Sequence, residues 1–132
     1  MFGGRWNHHG ARVVYTSSSL SLAALETLAH FDEEEAPDTL VAIPADMPDD
    51  VPITRIKISE LASNWRTIPP PESLAEIGTK WAVAKHSLAL AVPSAIIPED
   101  LNYLLNPLHA QFKRIRVGRP TPFSFDPRLR KA

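Results

Sequence analysis

The sequence predicts an α+β fold built on a mixed or antiparallel sheet. Three observations lead there. Short runs of β-branched and aromatic residues outnumber helical stretches. The helical stretches fall between those runs rather than alternating regularly with them. Thirteen prolines among 132 residues keep every element short and the turns defined. The length suits one domain over residues 1–132, and a chain of about 150 residues buries about 70% of its unfolded surface.

The elements follow in order. Met1 to Gly10 is glycine-rich and polar and reads as a loop. Arg12-Val13-Val14-Tyr15 reads as a strand. Thr16 to Ser19 offers several N-caps for a helix from Leu20 to about Phe31. That helix carries two apolar stripes, Leu20, Ala24, Leu28, Phe31 and Leu22, Leu25, Ala29, so it is expected to be buried nearly all round. Asp32 to Pro37 is an acidic loop, and Leu40 to Ile43 is a strand stopped by Pro44. Asp46 to Pro52 is a loop and Ile53 to Ile58 a loosely alternating strand. A second helix runs from Pro71 or Glu72 to about Lys85, with Gly78 as a possible break. Ser87 to Val92 is a buried strand ended by Pro93, and Pro98 to Asn106 a loop or helical turn. Phe112 to Val117 and Phe123 to Phe125 are short strands.

Composition excludes several functions. The net charge of −1 is no footprint for direct nucleic-acid binding, which needs a clustered positive excess. With no cysteine there is no disulfide, thiolate zinc site or cysteine nucleophile, which fits a cytoplasmic protein. No apolar run approaches the roughly 20 residues of a membrane span, and no signal-peptide pattern opens the chain. Charge is nonetheless uneven. Acids dominate from Asp32 to Glu60 and bases from Lys113 onward. These are either two solvated faces or a basic edge for an acidic partner or anionic ligand.

Four residue types could carry chemistry. Glu26 sits among Leu, Ala and Ser in the first helix. It is either on a solvent-facing stripe or a site carboxylate, because an unpaired buried charge costs several kcal/mol. Arg5 follows two glycines that allow close backbone approach. A guanidinium there grips a phosphate through two parallel hydrogen bonds, or it is a surface arginine. Tyr15 either stacks on a flat ring or joins the core. Ser94, after Pro93 at a strand end, is a site serine or a turn serine. No Gly-x-Ser-x-Gly elbow, Rossmann or Walker pattern occurs. His8-His9 makes no spaced ligand pair, and His30, His86 and His109 are scattered, so no metal is expected.

Five blocks taken in order resemble a known family. They are Gly3-Gly4-Arg5-Trp6-Asn7, Val13-Val14-Tyr15-Thr16-Ser17 leading into Ser19 to Glu26, Gly78-Thr79-Lys80-Trp81, Leu88 to Ala95 with Asn102 to Pro107, and Phe123 to Leu129. Together they look like the RES domain across almost the whole chain. The resemblance implies a fold similar to that of ADP-ribosyltransferase toxins. It also implies a toxin of a type II toxin–antitoxin system that degrades NAD by cleaving the nicotinamide–ribose bond. NAD and inorganic phosphate would be substrates, with no permanently bound cofactor. Protein ADP-ribosylation is the alternative chemistry.

An Xre-like antitoxin would be the partner, in a complex containing a toxin homodimer. The resemblance assigns Arg5 to phosphate groups, Tyr15 to the nicotinamide ring, Glu26 to the ribose, Ser94 to the same cleft, and Asn102 to a structural role among the NAD-binding residues. One departure is visible. The family has an N-terminal strand ahead of Gly-Gly-Arg-Trp-Asn, whereas only Met1 and Phe2 precede that motif here. A third reading, a non-catalytic module that binds antitoxin, follows from that departure.

Overall fold

The computed structural model describes residues 4–31 and 39–130. The acids Asp32 to Glu35 and Asp38 therefore lie outside the described residues, as do Gly3 and Lys131. The fold is α+β. A four-stranded mixed sheet has the order β1-β6-β5-β4, with β1 Val14–Ser17, β4 Ile53–Arg55, β5 Ala89–Pro93 and β6 Leu101–Leu105. β1 and β5 each run antiparallel to β6, and β4 runs parallel to β5. Two small antiparallel ladders complete it: β2 Leu40–Ala42 with β8 Thr121–Phe123, and β3 Ala45–Asp46 with β7 Arg116–Val117.

The core forms on one face of the large sheet. Leu90, Val92 and Leu104 pack there with Trp6, Trp65, Leu74, Trp81 and Ala82. Side chains two apart on a strand share a face, so Leu90 and Val92 point together toward helix α2, Glu72–Ala84. Helix α2 presents Leu74, Gly78, Trp81 and Ala82 to that core. Its last turn closes at Lys85, in the left-handed region at φ 57°. The buried polar groups around it are paired. Trp81 Nε1 donates to Ser87 Oγ at 2.8 Å, and Asn106 Nδ2 donates to the Ala82 carbonyl at 2.9 Å. Helix α1, Leu20–His30, starts where Ser19 Oγ accepts from the Leu22 amide at 3.1 Å.

Five expectations need correction. Helix α1 is not buried all round: Leu22 is, but Leu20 is 56% and Leu25 37% exposed. The helix packs beside the edge strand β1, and its Leu20 and Ala24 face an open groove rather than the core. Gly78 does not split α2, which runs through it unbroken. The segment from Pro98 to Asn106 is no loop, because it holds β6, whose two edges are both paired. Pro98, Pro107 and two asparagines had masked the Leu101–Leu105 strand. Finally, Phe112–Arg114 is a 3₁₀ turn and only Arg116–Val117 is extended, while the strand from Ile53 ends at Arg55.

The uneven charge finds part of its explanation within the chain. Asp46 stands opposite Arg116 in the β3–β7 ladder, and Asp50 accepts from Arg114 at 2.7 Å. That hydrogen bond holds the Asp50 carboxyl below its ordinary range. No helix among the described residues is long and apolar enough to cross a membrane.

Gly78 is the packing point between α2 and the N-terminal loop. A Cβ built there would lie 1.6 Å from the Trp6 carbonyl oxygen, a backbone atom that cannot rotate away. Gly78→Ala is therefore expected to destabilise by about 1–3 kcal/mol through overpacking, although alanine is the better helix former by about 1 kcal/mol. Urea unfolding measures this. An unchanged midpoint would mean that Trp6 does not dock on α2.

Candidate active site

The site begins with the loop Gly4–Asn7. Gly4 and Asn7 form an isolated antiparallel bridge, with N–H···O distances of 3.2 and 3.4 Å. Asn7 is buried, and its Oδ1 also accepts from the Gly4 amide at 2.9 Å. The Tyr15 hydroxyl donates to the same Oδ1 and accepts from the Trp6 amide at 3.2 Å. Glycine is required at position 4 by close approach, since a Cβ would fall 2.5 Å from Tyr15 Oη. The His8 amide donates to Thr79 Oγ1 on α2 at 2.9 Å. The loop is thus pinned to both β1 and α2.

Between those anchors Arg5 is held by one end of its guanidinium. Nη1 donates to the carbonyls of Trp65 at 2.9 Å and Thr67 at 3.2 Å. Its other donors have no partner among the described residues. Burial lowers the Arg5 pKa from its ordinary value, and the Glu26 carboxylate opposes that shift. Arg5 stays cationic at neutral pH because its ordinary value is so high.

Glu26 projects from the middle of α1 toward the rim of the large sheet. Its Oε2 accepts from Ser94 Oγ at 3.0 Å and from Asn102 Nδ2. Ser94 directly follows β5 and is fully buried, and Asn102 lies on β6 opposite Ser17 of β1 and Val92 of β5. Ser17 Oγ donates to Asn102 Oδ1 at 2.6 Å. Three adjacent strands therefore supply one polar row at the end of the apolar core.

These side chains surround a cleft of about 320 Å³. Arg5, Tyr15, Glu26, Asn102 and His30 line it, with Ala23, Thr27 and Phe31 of the α1 side. That volume falls in the range of small-molecule sites. Tyr15 is 45% exposed, so it is not a core residue. With its hydroxyl tied to the loop, the ring remains as a wall of the cleft. Burial raises the phenol pKa, the Trp6 amide lowers it in part, and the group stays neutral near pH 7. A wider groove of about 680 Å³ adjoins the cleft across Tyr15, Thr16, Ser17, Ala23 and Thr27.

The structure thus brings Arg5, Tyr15, Glu26 and Asn102 to one cleft and puts Ser94 behind Glu26 rather than on the cleft wall. Sequence reasoning missed Asn7, Ser17, Arg66 and the cleft position of His30. Arg66 Nε donates to the Ala95 carbonyl at 2.8 Å, bracing the turn that follows Ser94. His30 had a readable signal, since it lies four residues after Glu26 on one helix face. Ser17 had one too, two residues after Tyr15 on one strand face.

An arginine with spare donors, an aromatic wall and an oriented carboxylate can hold an anion, a flat ring and a developing positive charge together. The RES domain matches residues 1–126. The chain is similar to a protein named Toxin Res from Yersinia enterocolitica, 38% identical over 130 residues covering 98% of this chain and 85% of that one. It is similar to a Toxin Res from Photorhabdus laumondii, 38% identical over 133 residues, 100% of this chain and 85% of that one. It is also similar to a Prs ADP-ribosylating toxin from a Sphingobium species, 34% identical over 134 residues, 98% of this chain and 83% of that one. On the extent of these matches, this chain belongs to the RES domain family.

Proposed function

We propose that this RES protein is the toxin of a bacterial toxin–antitoxin pair and that it breaks the nicotinamide–ribose bond of NAD, with inorganic phosphate as the acceptor. The observation that carries the reading is the Glu26 carboxylate, held by Ser94 and Asn102 in the same cleft as the Arg5 guanidinium and the Tyr15 ring. Nicotinamide leaves as a neutral molecule from a cationic substrate, taking the C–N bonding pair with it. The ribose then carries oxocarbenium character. A fixed carboxylate stabilises that charge without reorganising during the reaction. Tyr15 holds the departing ring, and Arg5 holds the anionic groups in line. A phosphate oxygen forms the new bond to the anomeric carbon, giving phosphorylated ADP-ribose. The chemistry needs no resident cofactor. An Xre-like antitoxin, a toxin homodimer within the complex and a cytoplasmic location complete the reading, supported by relatives that are named as toxins.

One observation favours a second reading. The Sphingobium relative is named an ADP-ribosylating toxin, so a protein side chain is the alternative acceptor. The two share the bond broken and differ in where ADP-ribose goes.

NMR of the purified chain with NAD, with and without phosphate, separates them. Nicotinamide release that depends on phosphate and yields phosphorylated ADP-ribose is the expected result. Release without phosphate indicates hydrolysis or transfer. No release from folded protein favours an antitoxin-binding module without catalysis. Arg5→Ala and Glu26→Ala are each expected to lower kcat/KM at least about 100-fold, the scale of losing one preorganised electrostatic group. Their folding is checked by circular dichroism, and wild-type turnover in either variant would remove that residue from its role.

A further inference from the structure

We propose that Ser17 and Arg66 are positioning residues that commit Oε2 of Glu26 to the protein and leave Oε1 for the substrate. The inference rests on the NAD-cleavage reading for its kinetic consequence, but its structural content stands apart from it. An ionised carboxylate only accepts hydrogen bonds, so the side chains around it must present donors. Both partners of Oε2 carry acceptors as well, and either could turn the wrong way.

Ser94 has one proton and two lone pairs. Its Oγ accepts from the amides of Ile96 at 3.1 Å and Ile97 at 3.0 Å. With the lone pairs occupied, its proton goes to Oε2 at 3.0 Å. The turn that aims those amides is braced from outside. Arg66 donates from Nε to the Ala95 carbonyl at 2.8 Å and from Nη2 to the Ile96 carbonyl at 3.4 Å. Arg66 is itself exposed, and the carbonyls it holds belong to the peptide units carrying both amides.

Asn102 poses the same problem. Its amide would be repelled if Oδ1 faced the carboxylate. Ser17 Oγ donates to Oδ1 at 2.6 Å, which turns Nδ2 toward Oε2. Ser17 and Asn102 are direct cross-strand partners, so the sheet register itself delivers the hydroxyl. Glu26 Oε1 has no hydrogen bond among the described residues, and it belongs to a side chain lining the cleft. One oxygen is fixed by the fold and the other is available to the ribose.

Two readouts test this on the whole chain. The first is the Asn102 side-chain amide in a ¹H–¹⁵N spectrum, which requires no activity. Its carboxylate-bonded proton is expected downfield in the wild type, displaced in Ser17→Ala and restored in Ser17→Thr, which keeps the hydroxyl. The second is steady-state kinetics with NAD. Ser17→Ala and Arg66→Ala are each expected to lower kcat about fivefold to tenfold, the scale of one hydrogen bond, with KM within twofold of wild type. A raised KM with unchanged kcat would overturn the proposal, since it would mean contact with the substrate. An unmoved Asn102 amide in Ser17→Ala would overturn it too. Should Ser17→Ala fail to fold, the exposed Arg66→Ala variant decides the matter, and unchanged kcat there counts against it. If the wild type releases no nicotinamide, the NAD reading fails while the amide shift still judges the orientation of Asn102.

Discussion

The polar arrangement of the site depends on one carboxylate at the edge of an apolar core. Glu26 belongs to a helix where its neighbours are Leu, Ala and Thr, yet it points at the end of a sheet whose inner strand β5 is buried throughout. An ionised group there is tolerable only if donors replace the water it loses. Those donors come from Ser94 after β5 and Asn102 on β6, and Asn102 is in turn oriented from β1. The register of three strands and the rotation of α1 are therefore coupled through one oxygen atom. A one-residue slip of β1 against β6 would move Ser17 to the other face and remove its hydroxyl from Asn102.

The opposite wall of the cleft is built on different physics. Arg5 and Tyr15 lie in and beside a short loop that would cost backbone entropy to order by itself. Order comes from contacts that glycine alone permits. Gly78 lets the Trp6 carbonyl sit against α2, and Gly4 lets the loop backbone reach the Tyr15 hydroxyl. Trp6 then fills the core beside Trp65 and Trp81, while its neighbour Arg5 reaches back to the Trp65 carbonyl. Core packing and cation placement are thus one event: the residue that anchors the loop is adjacent to the residue that lines the cleft.

Much of this was legible in the sequence. The α+β class, both helices within a residue or two, and the strands at β1, β2 and β5 followed from periodicity, N-cap serines and stopping prolines. Glu26 stood out because its neighbours were apolar. What stayed hidden has a common cause. β6 takes its identity from strands on both sides rather than from its own composition, so a local reading saw only the asparagines and prolines around it. Apolar stripes on α1 signalled burial, but a stripe does not say whether it faces a core or an open groove. Spacing from Tyr15 could put Ser17 on the cleft face, but its partner Asn102 lies 85 residues away and the carbonyls that Arg66 holds lie 29–30 residues away, and no spacing rule reaches that far. Gly78 looked like a helix break because its reason for being glycine lies 72 positions earlier, in Trp6.

The arrangement also says how binding and catalysis divide. Interactions that are equally strong in ground and transition states lower KM without raising kcat. In the proposed reaction the Tyr15 ring would meet a flat group that is present throughout, so its contribution would be largely of that kind. In that reaction a carboxylate beside a ribose that becomes cationic only on bond breaking would contribute most at the transition state. Its effect depends on not moving, because a group that must reorganise loses part of the advantage. The hydrogen bonds of this site are concentrated behind Glu26 rather than around the ring, as the proposed reaction requires. Ser94 is buried with three hydrogen bonds on one hydroxyl, Asn102 is engaged at both ends of its amide, and an external guanidinium braces the turn between them. By contrast, the cleft wall that meets the ring is aromatic and partly open. The half of the site held by most hydrogen bonds is the half that would face the developing charge in the proposed reaction.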